Sequence, residues 1–174
     1  RVRLDRPESF CLDARRQTPA SRRIARERKG PFCMPPARVP GHFDEDRLRR
    51  FTIGEPERLT RLIEIVPYDP SWPGEFERHR QVIVGALGDR VRLLEHAGST
   101  SVPGLAAKPR IDIVLAVPDS SNESAYVPDL EAAGYVLCIR EPEWYEHRVF
   151  IRHDSQVNVH TFSEGCVEIT RMIA

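Results

Sequence analysis

The stretch that decides the fold is residues 96–114, which read HAGSTSVPGLAAKPRIDIV. It begins at the end of an apolar segment, passes through a turn of small residues and enters a second apolar segment that contains one carboxylate, Asp112. A turn built on Gly98 and Ser99 lets bare backbone N–H groups and hydroxyls approach a phosphate closely. An aspartate on the following strand can hold a divalent metal ion against that phosphate. The stretch therefore predicts a nucleotide site.

Charge divides the 174-residue chain into two parts. Residues 1–60 hold 15 of the 26 basic and 9 of the 26 acidic residues, a net charge of +6, and residues 61–174 carry −6. The first part also has seven prolines and few periodic apolar positions. This composition is typical of a largely disordered basic arm, a solvated tail with short helices at about 20–29 and 44–51. Because no aromatic residues are interleaved with its arginines, we expect no specific nucleic-acid binding.

Cysteine usage and hydropathy favour a cytoplasmic protein. The four cysteines show neither a CxxC pair nor a short Cys/His spacing, so free thiols in a reducing compartment are expected rather than disulfides or a zinc site. No apolar run reaches the roughly 18 residues of a membrane span, and no secretory signal is present. The chain starts with Arg1 and ends at Ala174 within an apolar helical pattern. We therefore expect it to be shortened at both ends.

The pattern from residue 62 onward predicts an α/β (α+β) fold, a mixed β-sheet flanked by helices. A strand is predicted at 62–66, followed by a helix that begins after Ser71 as N-cap and stops at Gly88. Further strands are predicted at 91–97, 111–117, 135–140, 147–152 and 156–162, and further helices at about 122–133 and from 164.

Four segments resemble the GrpB family, which is regarded as a branch of the nucleotidyltransferase-fold superfamily. They are residues 66–73 (VPYDPSWP), 96–113, 140–148 (REPEWYEHR) and 157–163 (VNVHTFS). The resemblance covers about residues 62–174 and implies a nucleotidyltransferase-like domain over 61–174, with a final helix that continues past residue 174. Similar domains occur fused behind dephospho-CoA kinase. Residues 1–60 do not resemble that kinase, and no GxxxxGK[ST] motif is present.

The superfamily resemblance also implies a signature for catalysis. It consists of a Gly-Ser or Gly-Gly pair, a spacer of about a dozen residues and two carboxylates two positions apart, which share a strand face and hold paired Mg²⁺ ions. Gly98, Ser99 and Asp112 match this signature, but Val114 occupies the position of the second carboxylate. We therefore predict Asp112 as the catalytic residue and a metal ligand, in a site that departs from the two-metal pattern.

Other ligands are predicted from the neighbouring segments. Asn158 and His160 are two residues apart on a strand, so they share a face and are predicted to bind Mg²⁺ or Mn²⁺ together with Asp112. Alternatively, Asp112 is paired with Arg148 or hydrogen-bonded by the hydroxyls of Thr100 and Ser101. The residues predicted to bind the nucleotide phosphates are Gly98, Ser99, Ser101, Lys108 and Arg148.

Two functions remain open at this point. The first is metal-dependent transfer of a nucleotidyl group from a nucleoside triphosphate to an acceptor. The alternative is a catalytically inactive accessory module that binds a nucleotide or another phosphorylated small molecule, which Val114 favours. The sequence identifies neither the nucleotide nor the acceptor, and it does not indicate an oligomeric state.

Overall fold

The computed structural model describes residues 45–54, 62–152 and 154–173. Within these residues one five-stranded sheet has the order β1-β2-β5-β4-β3, in which β2 and β5 are parallel and the other neighbours antiparallel. The strands are β1 (Leu93–Ala97), β2 (Ile111–Val117), β3 (Val136–Glu141), β4 (His147–Arg152) and β5 (Val157–Ser163). The helices are α1 (Glu45–Phe51), α2 (Trp72–Leu87), α3 (Val127–Ala132) and α4 (Val167–Ile173). The predicted mixed sheet flanked by helices is confirmed.

The central strand β2 is covered on both faces, which explains its apolar sequence. Ile113 and Leu115 are fully buried in the larger core, which includes residues of α2 and α3. Val114 points to the other face and is buried in a smaller cluster that includes Ile169 of α4. Since side chains alternate along a strand, Asp112 lies on the α4 face, where it is only partly buried.

Helix α2 begins and ends close to the predicted residues, but its N-terminal hydrogen bond differs. Ser71 occupies the capping position and its side chain forms no cap. Instead, the carboxylate of Asp69 accepts a hydrogen bond of 2.8 Å from the Ser71 backbone N–H. At the other end Gly88 has φ 55° and donates its N–H to the carbonyl of Val84, which ends the helix as expected.

Two predicted elements were wrong in part. The segment 62–66 does not form a strand, because only Val66 pairs, in an isolated bridge to Ala107, and Leu62 is 98% exposed. The helix predicted at 122–133 begins instead with a 3₁₀ turn, and α3 starts at Val127. Pro128 has no backbone N–H and its ring would clash with the carbonyl of residue 124 in a continuous helix, so it is accommodated in the first turn of α3.

The helix predicted at 44–51 is confirmed as α1, and the residues after it join the sheet. Thr52 bridges Ile139 on the outer edge of β3, and the Ile53 N–H donates to the carbonyl of Cys138 at 2.9 Å. The helix predicted at 20–29 lies outside the described residues, and the domain boundary at 60/61 stays a prediction. Among the helices that the structure describes, none combines the length and hydropathy needed to cross a membrane.

Candidate functional site

The turn after β1 and the carboxylate of β2 are in direct contact. Gly98 has φ 68°, a conformation that residues with a side chain rarely adopt. A Cβ atom at this position would lie 2.8 Å from Oδ2 of Asp112. Glycine is therefore required here both by the backbone conformation and by the carboxylate beside it. The predicted proximity of Gly98 to Asp112 is present in the structure.

Asp112 is held by two side chains of β5. Nδ2 of Asn158 donates a hydrogen bond of 2.8 Å to Oδ1 of Asp112, and Nε2 of His160 lies 3.7 Å from the same oxygen. Burial raises the pKa of Asp112, but the interactions with His160 and Asn158 outweigh this effect, and the net pKa is below the ordinary value. The Asp112 side chain is 30% exposed. It is therefore an ionised carboxylate that a ligand can reach.

Arg110 is a member of this site that the sequence analysis missed. Its guanidinium donates to Oδ1 of Asn158 and to Oε1 of Gln156, both at 2.9 Å. Because arginine only donates and an ionised carboxylate only accepts, the two contacts fix the amide orientation of Asn158 between Arg110 and Asp112. The signal for Arg110 was its spacing of two residues from Asp112, immediately before β2.

A further pair of residues, outside the predicted set of ligands, lies behind His160. Nδ1 of His160 is 3.1 Å from Nε2 of His147, and Nδ1 of His147 is 2.8 Å from Oε2 of Glu141. His147 is 4% exposed, and its ring is stacked on that of Phe162 and nearly coplanar with that of His160. Glu141, His147 and His160 therefore connect the end of β3 to Asp112 through contacts across β4 and β5.

The other ligands predicted near the turn differ in their exposure and in their hydrogen bonds. Ser99 is exposed, and the hydroxyl of Ser101 donates to the Gly98 carbonyl at 2.7 Å. The Thr100 hydroxyl donates to the carbonyl of Arg110 at 3.2 Å. Neither hydroxyl is bonded to Asp112, so the alternative in which Thr100 and Ser101 hydrogen-bond this carboxylate is wrong. Lys108 lies partly buried in the loop before β2 and forms no ion pair with a residue that the structure describes.

Arg148 does not join the other predicted ligands. It pairs with Thr161 across β4 and β5, whereas the next residue, Val149, pairs with His160, so Arg148 faces away from Asp112. Its buried guanidinium donates to the carboxylates of Glu123, at 2.6 Å, and Glu146, at 3.2 Å. These contacts also exclude the predicted pairing of Arg148 with Asp112. We therefore leave Arg148 out of the candidate site.

The side chains around Asp112 do not fit a dedicated Mg²⁺ or Mn²⁺ centre. Mg²⁺ prefers several oxygen ligands, and the Oδ1 atom of Asn158 is already engaged by the cationic Arg110. Val114, at the position of the second carboxylate, is fully buried. No group of three His, Cys, Asp or Glu side chains suited to a metal ion occurs in the described part of the chain. The site is instead a carboxylate–imidazole pair with one neighbouring cation.

The fold and this site define an α+β domain in which a glycine turn and a strand carboxylate form one polar edge of a mixed sheet. The family model described as GrpB protein matches residues 62–174. The chain belongs to the GrpB family, which confirms the predicted resemblance and its extent.

Relatives and a solved structure agree with this assignment. The chain is 50% identical over 129 residues to a UPF0157 protein of Halalkalibacterium halodurans, an alignment that covers 74% of this chain and 66% of the relative. It is 46% identical over 117 residues to a UPF0157 protein of Streptomyces coelicolor, covering 67% and 60%. The chain thus spans somewhat less than two thirds of these two relatives. The crystal structure of conserved protein GrpB from Enterococcus faecalis superposes with a TM-score of 0.56 at 29% identity, covering 63% of this chain and 67% of that one.

Proposed function

We propose that this GrpB domain binds a nucleoside triphosphate or a related phosphorylated molecule beside Gly98 and transfers its nucleotidyl group to an acceptor hydroxyl. The observation that carries the proposal is the convergence of Asp112 and His160 next to the glycine turn, with 3.7 Å between Oδ1 and Nε2. Both side chains are partly exposed and held by neighbours on the sheet. A rigid acid–base pair beside an accessible turn is the arrangement that proton transfer to or from a bound ligand requires.

The proposed binding of phosphate is supported by the charged and polar groups around the turn. Lys108 and Arg110 bring two positive charges into the loop between the turn and β2. Ser99 adds an exposed hydroxyl, and Gly98 leaves the backbone without a side chain in front of Asp112. Cations and small residues together favour an anionic ligand over a neutral one.

In the proposed reaction, the acceptor hydroxyl gives its proton to Nε2 of His160. Its oxygen then bonds the α-phosphorus of the triphosphate while the bond to the bridging oxygen breaks and pyrophosphate leaves. The ionised carboxylate of Asp112 stabilises the imidazolium that forms, because the opposite charges lie close together. General-base assistance of this kind typically contributes about 10²–10⁴-fold to a rate. Because the side chains around Asp112 do not fit a dedicated metal centre, no step is assigned to Mg²⁺ or Mn²⁺, and the assay below compares both ions with a chelator.

A second candidate function is supported by Val114. This buried side chain takes the place of a carboxylate that two-metal nucleotidyl transfer uses. A domain that retains the glycine turn and its cations without that carboxylate suits the binding of a phosphorylated ligand without turnover. The two functions differ in whether a product is formed.

Pyrophosphate release from a panel of nucleoside triphosphates and hydroxyl acceptors separates them. The panel is run with Mg²⁺, with Mn²⁺ and with a chelator. We expect Asp112→Asn and His160→Gln to lose release by about 10²-fold or more while nucleotides still raise the melting temperature. Ser99→Ala and Lys108→Met are expected to lose the thermal shift. Arg78→Met, on the exposed surface of α2, is the charge-matched control and leaves both readouts unchanged.

Each outcome decides between the candidates. A thermal shift without release by the wild-type protein would establish the binding module. Release that is the same in Asp112→Asn would remove Asp112 from the mechanism. No shift and no release with any triphosphate would exclude both functions.

A further inference from the structure

Four side chains form a continuous polar chain across the α4 face of the sheet, from β3 to β2. It runs from Glu141 through His147 and His160 to Asp112, with successive distances of 2.8, 3.1 and 3.7 Å. The first two distances are hydrogen bonds, and the third is a close approach without one. A carboxylate therefore lies at each end, but only Glu141 is within hydrogen-bond distance of an imidazole.

The unequal distances determine where the hydrogens of the two neutral imidazoles lie. The Glu141 carboxylate can only accept, so Nδ1 of His147 donates to it and Nε2 of His147 keeps a lone pair. That lone pair accepts a hydrogen bond from Nδ1 of His160. His160 therefore carries its hydrogen on Nδ1 and presents the lone pair of Nε2 to Asp112.

The opposite arrangement is unfavourable in this geometry. A hydrogen on Nε2 of His160 would point toward an oxygen 3.7 Å away, beyond a good hydrogen bond. Nδ1 of His160 would then accept from His147, whose own Nδ1 lone pair would face the Glu141 carboxylate at 2.8 Å. Two acceptors in contact repel each other, so this alternative loses the hydrogen bond to Glu141 and gains only the long contact with Asp112.

Packing also prevents the His147 ring from rotating, which would reverse the direction of these hydrogen bonds. Its ring lies 4.6 Å from that of Phe162 with an interplanar angle of 18°, and 5.3 Å from that of His160 with an angle of 4°. The Trp144 ring meets it edge-on at 4.9 Å. The stacked Phe162 ring and the perpendicular Trp144 ring hold the plane of this buried imidazole in line with that of His160, and with it the direction of both hydrogen bonds.

We infer that Glu141 and His147 are positioning residues that fix His160 in the Nδ1–H tautomer, so that Nε2 is the proton acceptor of the site. The role of this acceptor in transfer rests on the proposed function, but the tautomer itself does not. When His160 accepts a proton, the imidazolium donates from Nδ1 to His147 and presents its new N–H to Asp112. Glu141 stabilises the charge through His147, as a carboxylate behind a histidine base does elsewhere.

Nitrogen NMR of the ligand-free, ¹⁵N-labelled chain tests this inference. Long-range ¹H–¹⁵N spectra of neutral imidazoles distinguish a protonated from an unprotonated ring nitrogen, and loss of signals in His160→Ala assigns them. We expect His160 in the wild-type protein to carry its hydrogen on Nδ1. Glu141→Gln can donate as well as accept, so it is expected to shift part of the His160 population toward the Nε2–H tautomer. Glu141→Leu has no acceptor for the Nδ1–H of His147, so it is expected to shift His160 further in the same direction.

Two control variants accompany this measurement. Glu141→Asp keeps an acceptor-only carboxylate, and we expect it to restore the Nδ1–H tautomer. Glu143→Gln removes an exposed carboxylate from the same β3–β4 turn and leaves the spectrum of His160 unchanged. If the domain transfers nucleotides, Glu141→Gln is expected to lower kcat by at least about tenfold without weakening nucleotide binding.

An Nε2–H tautomer of His160 in the wild-type spectrum would overturn the inference even if Glu141→Gln failed to fold. An unchanged tautomer in a folded Glu141→Leu protein would also overturn it. Since the spectra are recorded without a nucleotide, failure of the proposed function leaves this result intact.

Discussion

The carboxylate of Asp112 occupies the space that any side chain at Gly98 would need, with 2.8 Å between Oδ2 and the position of a Cβ atom. The turn and the carboxylate therefore depend on each other, because the glycine that adopts the turn conformation also leaves the space that the carboxylate occupies. The same carboxylate is held from the other side by Asn158. A change at either residue is therefore expected to affect the other.

Gly98→Ala tests this relationship. The substitution strains a backbone at φ 68° and forces the Asp112 carboxylate away from its present place. We expect the free energy of unfolding to fall by roughly 2–4 kcal/mol, from backbone strain together with the displaced carboxylate. Chemical denaturation of the variant measures the loss.

Gly104→Ala is the matched control for that measurement. Gly104 has φ 80°, but a Cβ atom there would meet nothing within 4 Å. This variant is expected to lose only the backbone contribution, about 1–2 kcal/mol, and to retain nucleotide binding. Equal losses in the two variants would show that the contact with Asp112 has no energetic weight.

The second prediction concerns the pH dependence of folding. The pKa of Asp112 in the folded protein lies below its ordinary value, so its contribution to stability is fully present above the unfolded pKa of about 3.9. That contribution is lost as the pH falls through the folded pKa. The difference in unfolding free energy between wild type and Asp112→Asn is therefore expected to shrink on acidification below about pH 4. A difference that stays constant in denaturation curves from neutral to acidic pH would contradict this.

The sequence predicted this part of the site because its residues follow local rules. Residues 96–114 identify a strand, a turn and a strand without any knowledge of distant contacts. Asn158 and His160 are two positions apart, so strand geometry alone places them on one face. In the structure, their strand pairs with β2 and brings them to Asp112.

The rest of the site depends on register, which the sequence does not contain. His147 and Arg148 are adjacent in the chain, and only one of them can face Asp112. A shift of one residue in the β4–β5 pairing would exchange their faces. Arg148 was the predicted ligand, whereas the observed register brings His147 to His160. For a similar reason the strand predicted at 62–66 failed, because strand propensity does not supply a pairing partner.

The third prediction concerns Cys138 at the bulge of β3. Burial raises the pKa of this thiol to about 11, and the thiol donates to the carbonyl of Val149. Since the thiolate is the reactive form, only about one thiol in a thousand is ionised at pH 8 in the folded state. We expect Cys138 to resist alkylation in the native protein and to react readily in denaturant, as measured by peptide mass spectrometry. Rapid labelling of the native protein would contradict this expectation.

The last prediction separates the role of Arg148 from ligand binding. Glu123 accepts hydrogen bonds of 2.6 Å from both Arg148 and Arg140, and the Arg148 side chain is only 4% exposed. Removing one partner of a buried ion pair leaves an uncompensated charge. We expect Glu123→Gln to lower the free energy of unfolding by about 2–4 kcal/mol, since Glu146 still contacts Arg148.

The control for this substitution is Glu75→Gln, which breaks an exposed ion pair with Arg78. Exposed pairs contribute little, so a change within about 0.5 kcal/mol is expected in the same denaturation experiment. Because Glu123 and Arg148 lie on the face opposite Asp112, the nucleotide-induced thermal shift should be equal in Glu123→Gln, Glu75→Gln and wild type. Loss of the thermal shift only in Glu123→Gln would instead indicate that Arg148 binds phosphate, because its guanidinium would then contribute to ligand binding as well as to stability.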